Sequence, residues 1–221
     1  MILYILFSLN LYMGFDMLTM KIKDFNDHLD FLTKRANELG WIGKFNKFRI
    51  YNLAPLFSIT IYQNKTKDFK FFVGSSFLYD IAKGKFYYNK EGKEFKIDEK
   101  WIYYIFFLTP HWIKDFKYIS FLMGYNILFT NLKIYIKSNF ELEENYPKNF
   151  KGENLRICIG ITKEFKRLQI GLLGSKTVGG GIRRIYKSKE GYLYEGNYGN
   201  PGDRKAILTP SSFCLRITYK L

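Results

Sequence analysis

The densest concentration of chemistry-bearing residues is the run Gly171-Leu172-Leu173-Gly174-Ser175-Lys176-Thr177-Val178-Gly179-Gly180-Gly181-Ile182-Arg183-Arg184. Glycine permits positive φ and lets a backbone come close to a ligand. Successive exposed amides then form a concavity that suits an anion. Lys176, Arg183 and Arg184 add positive charge, and an arginine fork grips a phosphate with two bonds. Lys163, Lys166 and Arg167 come just before, against the single acid Glu164. These residue types in this order predict a grip on a phosphate backbone; the plainer alternative is a flexible connection with charged flanks.

The segment is not a nucleotide-binding loop of the usual kinds. Those need a glycine-rich turn after a strand and before a helix. Here the periodicity predicts a helix from Thr162 to Leu173, with Phe165, Leu168 and Leu172 on one face, then the loop, then a strand. A helix C-terminus turns its negative end toward the loop, so binding has to rest on side-chain charge and loop amides.

The whole chain agrees in sign. Lysine and arginine number 35 against 20 acids, a net charge of +15. Such a field draws in polyanions. Nucleic acid is the first candidate and an anionic membrane surface the second, with a lysine-rich solvated surface as the neutral alternative. Cys158 and Cys214 each lie in an apolar alternating run and read as reduced core residues. No Cys/His cluster suggests zinc, and no metal or cofactor is expected.

Several elements must position these residues. The apolar run at 1–15 is too short for a comfortable helical span and lacks the features of a signal peptide. It reads as a first strand or as an extension from an early start codon, with Met13, Met17 and Met20 as other possible starts. An anchor lying on the membrane is the lesser alternative, and no stable membrane insertion is expected. Residues 24–40 predict an amphipathic helix, with Phe25, Leu29, Leu32, Ala36 and Leu39 on one face and Gly40 ending it. His28 rides on it as a partly exposed histidine. From Phe48 the pattern is that of strands, with a hairpin turn at 89–92. The run 101–108 reads as a buried strand or helix and 112–123 as a short helix. Residues 125–137 and 155–161 read as strands, 138–154 as a surface loop, and 213–221 as a closing strand.

With the elements in that order, the stretch 168–185 resembles the glycine-rich loop of the RAMP superfamily of CRISPR-associated proteins. Two weaker echoes lie upstream, at Gly74-Ser75-Ser76 and at Leu53-Ala54-Pro55-Leu56. The chain departs from the family in its loop spacing after Lys176 and in Val73, where proline is usual.

The resemblance implies an α+β fold with a ferredoxin-like, RNA-recognition-type core and antiparallel sheet over 46–187. An N-terminal strand and helix arm (1–45) and a C-terminal β extension (188–221) would flank it. It implies a cytoplasmic, non-catalytic subunit that holds guide RNA beside other effector-complex subunits. Its RNA-binding residues would be Lys163, Lys166, Arg167, Gly174, Ser175, Lys176, Gly179, Gly180, Gly181, Arg183 and Arg184, with Ser75 and Ser76 either on phosphate oxygens or capping a helix. The alternatives are a guide-processing endoribonuclease, with His111 or Asp68 as its catalytic residue, and a viral or phage assembly protein that binds packaged nucleic acid.

Overall fold

The computed structural model describes residues 10–64, 68–141, 149–178 and 209–221. Most of these are strand. β1 (Leu11–Lys21) leads into the helix α1 (Lys23–Glu38) and the short β2 (Ile42–Phe45). There follow β3 (Tyr51–Asn64), β4 (Phe69–Lys90), β5 (Lys93–Asp115), β6 (Ser120–Ser138), β7 (Asn149–Phe165), β8 (Leu168–Thr177) and β9 (Thr209–Lys220).

The sheet closes on itself. Its order is β2-β4-β3-β1-β9-β8-β7-β6-β5, and β4 also pairs with β5. β2 rides on the far part of β4, from Ile42 opposite Tyr87 to Phe45 opposite Gly84. The other eight strands form a ring in which every pairing is antiparallel. Closure leaves no edge in the ring to pair with another chain.

The registers set its shape. Gly14 lies opposite Leu56, Leu56 opposite Ser76, Ser76 opposite Phe107, Phe107 opposite Leu128, and Leu128 opposite Asn154. Continued through β8 and β9, this path returns to β1 about ten residues from Gly14, a stagger that tilts the strands by about 40° from the barrel axis. Tight curvature demands small residues. A Cβ on Gly124 would stand 2.2 Å from the Pro110 carbonyl oxygen and 2.7 Å from the His111 ring.

The two ends differ. At one end, the turn end, the chain reverses within a few residues: Phe116 N donates to the Ile119 carbonyl between β5 and β6, and only Lys166 and Arg167 separate β7 from β8. The start of β1 and the end of β9 lie here too, with Leu221 N donating to the Leu11 carbonyl. At the other end, the loop end, β4, β5 and β6 run on past β3, and α1, β2 and the connection to β3 fold over the opening.

The expected ferredoxin-like α+β core is therefore corrected to an all-antiparallel barrel with one helix among the described residues. The helix predicted at 162–173 is the end of β7, a two-residue turn and the start of β8. That predicted at 112–123 is the β5–β6 hairpin. In both, a reversal of the chain shifts the alternation and mimics helical spacing. The helix at 24–40 and the turn after Lys90 form as expected. β1, from the segment read as an arm, and β9, from the segment read as an extension, are neighbouring staves of the same ring.

Candidate functional site

Alternation along each strand separates the faces of the wall. On β5, Ile102, Tyr104, Phe106, Leu108, Pro110 and Trp112 face outward in succession, while Tyr103, Ile105, Phe107, Thr109 and His111 face the lumen. The same division recurs around the ring. Outward and exposed are Leu11, Met13, Phe15 and Met17 on β1, Leu53 and Phe57 on β3, and Phe77 and Tyr79 on β4. Phe121, Met123 and Phe129 on β6, Ile157, Ile159 and Ile161 on β7, Leu172 on β8 and Phe213 on β9 continue the band. Ile102 is covered and lies opposite Lys133, so the band begins at Tyr104. From Tyr104 to Trp112 it spans about 26 Å along the strand at roughly 3.3 Å per residue. With the tilt, this is a height of about 20 Å. Exposed aromatics mark its margins: Tyr51 and Tyr79 toward the loop end, Tyr62, Phe116, Tyr118, Phe165 and Tyr219 toward the turn end.

The lumen holds many polar side chains among its apolar ones. Asp16, Ser58, Thr60, Ser76, Thr109, His111, Thr130, Asn154, Arg156, Thr162, Gln169, Arg216 and Thr218 are all buried within it. At its centre Arg216 grips Asp16 with both prongs, Nε to Oδ1 at 2.7 Å and Nη2 to Oδ2 at 2.8 Å. Its Nη1 lies 3.4 Å from His111 Nδ1, and His111 Nε2 lies 3.0 Å from Asn126 Oδ1. Arginine only donates, so Nδ1 accepts and the Nε2 hydrogen is given to Asn126. Phe72 stacks on the His111 ring at 5.9 Å and lies under the Arg216 guanidinium. Nearer the turn end Lys70 bridges Asp115 at 2.8 Å and Glu164 at 3.7 Å.

Side chains fill most of the lumen. A cavity of about 30 Å³ beside Asp16, Asn126, Arg156 and Arg216 has room for one or two waters. Toward the loop end the filling becomes apolar. Phe25 and Leu29 of α1 are fully buried, in one cluster with Met20, Phe45, Phe48, Phe86, Trp101 and Leu132. Asn26 pins the connection to β3, donating to the Phe48 carbonyl and accepting from Phe48 N. Asp80 accepts from Arg49 N at 2.6 Å. His28 packs 5.7 Å from the Trp101 ring, and burial pulls its pKa down to about 4. Glu99 accepts from Trp101 Nε1 at 3.0 Å, and burial raises its carboxyl pKa.

The residues expected to hold RNA are dispersed. Lys163, Lys166 and Arg167 lie at the turn end, whereas Lys176 is about 30 Å along β8 from Arg167. Gly174 and Lys176 face outward and Ser175 inward, opposite Cys158. Ser75 and Ser76 point to opposite sides of the wall, Ser76 being buried. Gly179, Gly180, Gly181, Arg183 and Arg184 lie outside the described residues, as does the run 1–9. Of the two catalytic candidates, His111 is wholly enclosed. Asp68 sits on the β3–β4 turn at φ 47°, its carbonyl accepting from Asp115 N. Cys158 is buried, as expected, and Cys214 is half-buried.

The buried polar residues of the lumen were the feature that the sequence reading missed. Their signal was there: Asp16, Asp80, Arg156 and Arg216 each interrupt a strand-like run of alternating apolar residues. Among the described residues, no group of acidic, histidine and cysteine side chains is arranged to hold a metal, and no helix is long and apolar enough to cross a membrane. No protein-family model matches the chain, and no curated protein matches it.

Proposed function

We propose that this chain is an integral membrane protein that crosses a bilayer as an eight-stranded, plugged β-barrel and presents the α1 end outside the membrane. One observation carries the reading: the wall is apolar and exposed outward on all eight staves, while charged and polar side chains from β1 and from β3 to β9 are buried among apolar ones inside. A barrel in water needs the reverse. A barrel in lipid needs this arrangement, with every backbone group paired in a closed ring. The height of the band is close to the outward apolar belt of such barrels, about 25 Å, and the aromatic margins fit the two lipid–water boundaries. Short turns at one end and longer connections at the other are also usual for them.

The filled lumen argues against a solute channel. The Asp16–Arg216–His111–Asn126 group and the apolar packing under α1 block it in series. The role that remains is to hold α1 and the loop-end connections rigidly at a membrane surface. The expectation of no membrane insertion considered a helical span or an N-terminal anchor; strands cross by a different rule, with about 9–11 tilted residues each.

The test is to refold the full chain in the presence of lipid vesicles. A folded barrel should float with the vesicles, resist extraction by alkaline carbonate and migrate differently in gels before and after boiling. A monodisperse protein in buffer without detergent or lipid, which leaves vesicles alone, overturns the proposal. The guide-RNA reading remains a rival that rests on the basic run 163–184 in the sequence. It calls for salt-dependent RNA binding by that soluble form.

A further inference from the structure

The membrane reading leaves a cluster of cations unexplained, and on that reading we propose that the turn-end rim binds the phosphate head groups of anionic phospholipids. Lys117 lies on the β5–β6 turn, Lys163 near the end of β7, and Lys166 and Arg167 on the β7–β8 turn. β6 pairs with β7, Ser120 opposite Thr162, so the two turns are neighbours on the rim. All four cations are exposed, and none has an ion pair to another described residue. The nearby acids do not neutralise them. Asp115 and Glu164 both turn to Lys70, and Asp115 also accepts from Ser120. Among the described side chains of this rim, Asp68 is the one outlying carboxylate, on the next turn.

Position decides the kind of anion. The cations stand directly at the margin of the apolar band, interleaved with rings. Lys117 Nζ lies 5.2 Å from the centre of Tyr118, and Lys163 Nζ 5.1 Å from that of Phe165. Aromatic rings of this kind sit at head-group level, and each lysine or arginine near an anionic surface adds attraction. A ligand with a negative head and a hydrocarbon tail satisfies both features at once; a free phosphate or a soluble polyanion uses only the first.

Trp112 supplies the probe. It faces outward at the same margin, beside Phe71 and Tyr125. Trp101 lies within the wall under α1, and Trp41 lies at the loop end, against Tyr88 and Phe140. The full chain is folded into phosphatidylcholine vesicles containing a minor, equal fraction of either brominated phosphatidylglycerol or brominated phosphatidylcholine, with a Trp112→Phe control. Several-fold stronger quenching of Trp112 by the brominated phosphatidylglycerol is expected, falling as salt is added. The preference should vanish when Lys117, Lys163, Lys166 and Arg167 are all changed to glutamine. Equal quenching by the two lipids in the unaltered protein, or a preference that survives the four substitutions, overturns the lipid site and leaves the barrel standing. Quenching by neither lipid in a folded protein overturns the barrel itself.

Discussion

Arg216 and His111 meet across the lumen, Nη1 to Nδ1 at 3.4 Å, although they stand on β9 and β5, on opposite sides of the ring. The contact ties two walls together through one guanidinium whose other donors hold Asp16. A charge so placed, away from bulk water and from lipid head groups, is tolerable only while its partner stays charged.

Replacing that partner should therefore be severe. Asp16→Asn leaves Arg216 enclosed without its carboxylate, and a loss of about 3–5 kcal/mol is expected. The double change Asp16→Leu with Arg216→Met removes both charges and should recover much of the loss. Urea unfolding in vesicles measures both, and a double variant no more stable than Asp16→Asn would show that the pair is not the controlling term.

A charge on the outer wall costs far more in lipid than in water. Ile157 is exposed on β7 near mid-height, opposite Tyr125 on β6. If lipid covers it, Ile157→Arg should cost about 2–4 kcal/mol. If water covers it, the same change should fall within about 0.5 kcal/mol of zero. Folding free energies in vesicles decide between them.

Lys176 is the exception on that wall, exposed and directly opposite Ile157. Its apolar stem can lie along the wall while the ammonium reaches toward the loop end. Removing the charge should help insertion, so Lys176→Leu is expected to raise the folded yield in vesicles. The RNA reading assigns the same residue to phosphate and expects weaker RNA binding. A lower yield in vesicles would count against lipid contact at this position.

These residues also show how far the sequence was legible. The alternation that makes the strands was plain in β3, in β9 and in parts of β4 and β7, whereas the run 101–108 of β5 read equally as strand or helix. What alternation does not tell is which face looks inward. A strand with apolar and polar faces reads the same whether lipid or a core covers the apolar side. Lys163, Lys166 and Arg167 seemed to belong with Lys176 because a helix would have brought them together on nearby turns. A strand, rising more than twice as far per residue, carries them apart. His111 looked like a proton-transfer candidate because its burial depends on Gly124 and Arg216, distant in sequence. The helix α1 was legible because its apolar stripe, Phe25, Leu29 and Leu32, is local.

The docking of that helix should depend on pH. His28 on α1 packs against Trp101 with Nδ1 buried and without a hydrogen-bond partner among the described residues. Its pKa is about 4 in the fold, against 6.5 when exposed. The released helix then takes up a proton more readily than the docked one, so docking weakens as pH falls below 6.5 and the loss levels off below 4. At pH 5 the loss should be about 1–2 kcal/mol after allowing for partial solvent contact. Glu99, on the other side of Trp101, works in the opposite direction. Its pKa is raised in the fold, so its contribution is full below the unfolded carboxyl value and fades as pH rises through its folded value. His28→Phe should keep the ring contact and remove the loss, whereas Glu99→Gln should leave the His28 effect unopposed and steepen it. Protease cleavage within 23–38 of the vesicle-bound protein, followed from pH 7 to pH 5, reads the helix separately from the barrel. Cleavage that rises equally in the unaltered protein and in His28→Phe would show that His28 does not control the docking of α1.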